Sequence, residues 1–250
     1  MLRRTWVVFA ALMLLLPVAG AVKAGPPGIR SERVQFAKGA SSAVVKGQLK
    51  GDSIVDYAVR AGAGQTLAVT LKGTNSQNYF NVNPPESEAS LFVGSTSGGD
   101  FAGMLPADGD YVIRVYLMRA AARRNESSSY TLTIGVTGSA LAPLPASKDA
   151  VLPGTLFHAS AKIACVPYLD FGKTQRECKA FVIRRGLDGT ATVEIPQPGA
   201  GRRRILFVKG KPAASDSPDP LTFTRQGDVT TVKLGAGERY EIPDALVTGG

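Results

Sequence analysis

Three arginines, Arg119, Arg123 and Arg124, fall within six positions of the segment YLMRAAARRNESSSY (116–130), and a single acid, Glu126, stands beside them. A guanidinium presents a planar fork of N–H donors that can grip a carboxylate through two charge-assisted hydrogen bonds. The AAARR stretch favours a helical turn but is too short to be a stable helix alone. In such a turn Arg119 and Arg123 lie on one side at i,i+4, where like charges cost about 0.2–0.5 kcal/mol. An unfavourable pairing at a loop tip fits an anionic group that is meant to meet it. The plain alternative is a mobile basic loop, and the segment alone leaves both readings open.

The remaining reactive side chains assemble poorly into a catalyst. His158 is the lone histidine, so no His-rich metal site can form, and no local pattern links it to a serine and an acid. Asp108 and Asp110 flank Gly109, but the fuller acidic spacing of a calcium loop is missing, and a hairpin turn accounts for them better. Phosphate-loop, dinucleotide and HExxH patterns are absent, so neither enzyme activity nor a cofactor is expected. Asn125–Ser127 fits a glycosylation sequon, a pattern too short to carry weight. The run Arg202–Arg204 reads as a turn and strand edge, where charge discourages edge pairing.

These residues must be positioned by strands. Large apolar residues alternate at Tyr57 and Val59, at Leu67, Val69 and Leu71, from Tyr111 to Leu117, and from Tyr130 to Val136. Period-2 alternation punctuated by Gly- and Asp-rich turns indicates an all-β sandwich or barrel. The basic segment lies between two such strands. Met118–Ser129 is twelve residues, long for a hairpin, where two to five are usual.

Beyond Val136 the stretch TGSALAPLPASKDA loses all periodicity and reads as a linker. Alternation resumes at Phe181 and Ile183, at Ala191, Val193 and Ile195, at Ile205 and Phe207, at Leu221 and Phe223, at Val232 and Leu234, and at Tyr240 and Ile242. The expected organisation is therefore a leader at 1–24, an antiparallel β-sandwich at 30–138, a linker at 139–148 and a smaller β domain at 149–250.

The leader follows from Arg3 and Arg4, an apolar run Trp6–Leu16, and small residues that permit cleavage after Ala21 or Ala24. The apolar run is short of the roughly 20 residues needed to span a bilayer, so no stable membrane insertion is expected after cleavage. In an oxidising compartment Cys165 and Cys178, the only cysteines, read as one disulfide. The formal charge is +9; 29 basic residues less Arg3 and Arg4, against 20 acidic ones, leaves +7. That balance suits an acidic partner or an anionic envelope. Nucleic acid is not expected, because no aromatic residues interleave with the basic ones.

VQFAKGASSAVVKGQLKG (34–51), YAVRAGAGQTLAV (57–69), LPADGDYVIRVYLMRAAARRN (105–125) and YTLTIGV (130–136) resemble the periplasmic inhibitors of goose-type (g-type) lysozyme. The resemblance covers 34–138 and none of the second half. It implies a jelly-roll sandwich akin to the pre-peptidase C-terminal domain. It also implies that Arg119, Arg123 and Asn125, with Arg124 beside them, enter the acidic cleft of a lysozyme or another acidic-cleft protein. The alternative is a non-catalytic envelope module that binds peptidoglycan, another glycan or a partner protein. One position departs from the family pattern: Asp52 follows Gly51 where family members tend to place an aromatic residue.

Overall fold

The computed structural model describes residues 28–87, 89–168, 174–197, 199 and 201–249; the expected leader and its cleavage point lie outside the described residues. The first half is a two-layer sandwich. One sheet joins β1 (Ile29–Arg33), β3 (Ile54–Ala61), β8 (Gly109–Leu117), β5 (Asn78–Asn83) and β6 (Phe92–Val93) in the order β1-β3-β8-β5-β6. The other joins β2 (Ser42–Lys50), β9 (Ser127–Thr137), β4 (Thr66–Gly73) and β7 (Asp100–Met104) in the order β2-β9-β4-β7. Pairing is antiparallel except between β1 and β3, which run parallel. A short helix, α1 (Gly94–Ser97), follows β6.

The alternating residues fill the space between the layers. Tyr57, Val59, Leu67, Val69, Tyr111, Ile113, Val115, Leu132 and Ile134 are all buried in one cluster. Each such side chain contributes roughly 1.5–3 kcal/mol when fully removed from water. Two inward tyrosines from opposite layers also satisfy each other, with Tyr57 Oη and Tyr130 Oη 2.8 Å apart. Tyr130 needs room to do this. It stands in register between Gly47 and Gly73, and a Cβ on Gly47 would lie 2.3 Å from its hydroxyl.

Two connections differ from the hairpins that the sequence suggests. β7 and β8 belong to different sheets, so the turn around Asp108 crosses between the layers. The basic segment does the same. β8 ends at Leu117 in one sheet, α2 (Arg119–Arg123) follows, and β9 starts at Ser127 in the other. Residues 105–108 cross between the layers in four residues, so the extra length of the basic connection is taken up by α2 itself.

The second half is one eight-stranded antiparallel sheet. Its strands are β10 (Ala159–Val166), β11 (Arg176–Arg184), β12 (Ala191–Gln197), β13 (Gly201–Val208), β14 (Lys211–Ser215), β15 (Leu221–Gln226), β16 (Val229–Leu234) and β17 (Glu238–Pro243). The order is β14-β13-β12-β11-β10-β17-β16-β15, and the sheet curls until β14 and β15 at its two ends approach each other. Helix α3 (Asp244–Thr248) contributes Leu246 and Val247 to the enclosed core. Cys165 and Cys178 form the disulfide, joining β10 to β11 with Cα atoms 5.9 Å apart.

Two features of this half go beyond the sequence reading and one corrects it. On β11 the core face carries Ala180 and Val182, so Phe181 and Ile183 point the other way. Phe223 is exposed on the outermost strand. The arginine triplet lies inside β13, an interior strand, and not at an edge. Alternation then sends its members to opposite faces. Arg203 enters the core side and pairs with Glu238 at 2.8 Å and Asp216 at 2.9 Å, while Arg202 and Arg204 reach Glu194 on the other face.

That other face packs against the sandwich. Arg204 donates to the Pro85 carbonyl and approaches Glu86, Arg185 donates to the Leu141 carbonyl and pairs with Asp108 at 2.8 Å, and the Thr192 hydroxyl donates to the Pro106 carbonyl at 2.7 Å. Leu206 and Ala214 meet Ala63 between these bonds. His158 fastens the intervening chain. Its Nδ1 accepts from the Arg184 N–H at 3.1 Å, so the proton sits on Nε2, which donates to the Leu144 carbonyl at 3.0 Å.

Candidate functional site

The two ends of the sandwich are occupied differently. Every docking residue just named on the sandwich lies where β3 finishes and β8 begins. The arginine segment lies at the opposite end, where β8 finishes, about nine strand residues or 30 Å away. The C-terminal half therefore leaves α2 uncovered.

Helix α2 is anchored by its middle. Ala121 is fully buried against the sandwich core, while Arg119 and Arg123 on either side of it are exposed. The C-terminal end is locked by backbone. The Asn125 N–H donates to the Ala122 carbonyl at 2.9 Å and the Glu126 N–H to the Ala121 carbonyl at 3.2 Å, with Asn125 at φ +55°. This is a Schellman closure, in which one residue past the cap takes the left-handed conformation. Asparagine tolerates that conformation better than most side chains, which gives Asn125 a structural reason for its place.

The adjoining turn clamps the same spot. Gly51, at φ +58°, donates its N–H to the Glu126 carbonyl at 2.9 Å, and a Cβ there would lie 2.8 Å from Asn125 Oδ1. Glu126 accepts from Asn75 Nδ2 at 2.8 Å and from Arg124 Nε at 2.6 Å. Asn75 first, then Arg124, hold the Glu126 carboxyl below the usual glutamate range.

The four sequence-predicted residues thus separate. Arg124 is tied to Glu126 and Asn125 shapes the turn, whereas Arg119 and Arg123 form no ion pair with any described residue. One helical turn apart on a packed, hydrogen-bonded element, these two guanidinium groups are available to an external carboxylate.

Beside them runs a groove of about 490 Å³ lined by Asp52, Ile54, Arg114, Tyr116, Met118 and Arg119. On its floor Arg114 grips Asp56 through two 2.8 Å hydrogen bonds, and the Tyr116 hydroxyl donates to Asn81 Oδ1 at 3.1 Å. Asp52 sits on the rim beside Arg119 without pairing to it. Sequence reading did not find the Gly51, Asn75 and Glu126 clamp or the groove floor; a glycine before Asp52 was the one local signal. Among the described residues no His, Cys, Asp or Glu cluster could hold a metal ion, and no helix is long and apolar enough to cross a membrane.

No family model matches the chain. A search of known proteins finds the inhibitor of g-type lysozyme of Escherichia coli strain K12, 30% identical over 130 residues, which are 51% of this chain and 93% of that protein. Among solved structures, Aeromonas hydrophila PliG, described as a periplasmic inhibitor of g-type lysozyme, is 37% identical, covers 44% of this chain and 97% of its own, and has a TM-score of 0.39. Its Salmonella Typhimurium counterpart is 26% identical over 43% of this chain and 98% of its own, at a TM-score of 0.37.

Proposed function

Because this chain belongs to the family of inhibitors of g-type lysozyme, we propose that it is itself a periplasmic inhibitor of a g-type lysozyme, a protein that protects peptidoglycan by binding an enzyme and not by catalysis. The observation that carries this reading is the pair Arg119 and Arg123, exposed and unpaired among the described residues on a helix whose middle and end are held in place. A glycan-cleaving enzyme works with carboxyl groups in a groove. Arg119 and Arg123 reach those carboxylates as bidentate donors, and Arg124, spent on Glu126, keeps the loop in shape.

Titration of the mature protein into a g-type lysozyme acting on cell walls tests the proposal. Activity falls to background near stoichiometry in the expected result, and Arg119→Ala/Arg123→Ala weakens inhibition by about 30-fold to several thousandfold, the cost of uncovering a buried charge partner. Undiminished lysozyme activity at micromolar excess overturns it. Pull-down of the chain by insoluble peptidoglycan without inhibition would favour an envelope-binding module instead.

A further inference from the structure

The groove beside α2 does not end at Arg114. A second groove of about 520 Å³ opens beyond it, lined by Asp56, Asn83, Asp110 and Val112 together with the same arginine. On β5 and β8 the side chains of Asn81, Asn83, Val112, Arg114 and Tyr116 alternate with buried core residues, so both grooves lie on the outer face of the β1-β3-β8-β5-β6 sheet. They form one trench along β8 from Tyr116 to Asp110, about 20 Å long.

The side chains of this trench leave hydrogen-bond donors over. The Tyr116 hydroxyl donates to Asn81 Oδ1 at 3.1 Å and the Ser90 hydroxyl to Asn83 Oδ1 at 2.6 Å. Each amide is thereby fixed by its oxygen, and neither Nδ2 has a partner among the described residues. Two positions apart on β5, the two residues stand about 7 Å from each other. Tyr116 is in register with Tyr79 yet bonds to Asn81, so its ring leans along the sheet and lines the trench. The charges, in contrast, are answered within the trench. Arg114 is held by Asp56 through two hydrogen bonds, Arg33 by Asp110 through two more, and Arg60 stands 3.8 Å from the same Asp110 carboxylate.

A matching ligand is linear and uncharged where it lies in the trench, accepts hydrogen bonds from the two amides and lays an apolar face on the tyrosine ring. A chain of N-acetylated amino sugars has all of these. Its acetamido carbonyls only accept, its hydroxyls both donate and accept beside Asp56 and Arg114, and the C–H face of each sugar ring is apolar. A nucleic acid or an acidic peptide would bring charge that the paired groups do not answer. We propose that this trench binds the glycan strand of peptidoglycan, so that the chain holds the wall with its outer sheet face and carries α2 at one end of that contact. The inhibitor reading above supplies the compartment; the binding itself does not depend on Arg119 and Arg123.

The test sediments the full mature chain with insoluble peptidoglycan in the absence of lysozyme. Retention should be saturable and should persist at about 300 mM salt, where ionic adsorption of a basic chain is screened. Asn81→Asp/Asn83→Asp keeps the oxygens that Tyr116 and Ser90 bond and removes both NH2 groups, and it should weaken retention about fivefold to a hundredfold. Arg119→Ala/Arg123→Ala should be retained like the wild type. No retention of the wild type, retention lost at high salt, an undiminished Asn81→Asp/Asn83→Asp variant, or equal retention on cellulose, which has no acetamido group, overturns the proposal. So does loss of retention in the arginine variant. An NMR titration of the unmodified chain decides the same point without a variant. A soluble tetrasaccharide of N-acetylglucosamine should shift the side-chain amide signals of Asn81 and Asn83, and stationary signals overturn the trench. Each of these failures leaves the inhibitor reading intact, since no lysozyme takes part.

Discussion

Asn125 and Glu126 hold the arginines in place from within the chain, one through its backbone conformation and the other through its carboxylate. Asn125 sits at φ +55°, where glycine is at ease and alanine is strained. Asn125→Gly should keep the stability of the wild type within a few tenths of a kcal/mol, while Asn125→Ala should lose about 1 kcal/mol in urea melts. Glu126 makes a pH prediction of definite sign. Its folded-state value is depressed, so its contribution is present above the ordinary glutamate value near 4.3 and is lost as pH falls through the lower folded value. An NMR titration of the Glu126 side chain should give a midpoint below that of an exposed glutamate. Both Asn75→Ala and Arg124→Ala should return it toward the ordinary range.

At the scale of elements, α2 shows how a five-residue helix persists without intrinsic stability. One buried alanine, a Schellman closure and the Gly51 turn replace the length that an isolated helix would need. The strands beneath it depend on small residues facing Tyr130. Gly47→Ala would force a methyl group against the Tyr130 ring and break its contact with Tyr57. Overpacking of this kind typically costs about 1–3 kcal/mol, readable as a lower urea midpoint with an unchanged slope.

At the scale of the whole molecule, the C-terminal sheet grips the sandwich through guanidinium groups that are nearly out of water. The side chains of Arg185 and Arg204 are 1% and 4% exposed, and both bond to carbonyls on the sandwich side. We expect the two halves to unfold in one calorimetric transition. Arg185→Ala leaves Asp108 without its 2.8 Å ion-pair partner and the Leu141 carbonyl without its donor. It should cost about 1–3 kcal/mol, less than a fully buried pair because the Asp108 side chain is 35% exposed, and split the transition in two; two transitions already present in the wild type would refute the coupling. The α2 end should keep its structure through this change, because the contacts lie at the other end of the sandwich.

The sequence by itself determined that the chain is all-β, that Cys165 pairs with Cys178, and that Arg119 and Arg123 share one side of a turn. Local periodicity, a two-cysteine count and an i,i+4 spacing are properties of neighbouring residues, and they carry through to the structure unaltered. Which face of β11 is buried was not legible, since Phe181 and Val182 are both apolar and the cover over Phe181 comes from Phe157, more than twenty residues earlier in the chain, with ring centroids 4.8 Å apart. For the same reason Arg202–Arg204 looked like an edge, because nothing local announces Glu194, Asp216 and Glu238 as partners. Tertiary structure alone decided which arginine is spent and which are free. Glu126 stands near all three in sequence, but a crossover between two layers brings its carboxylate to Arg124 and carries Arg119 and Arg123 out into solvent.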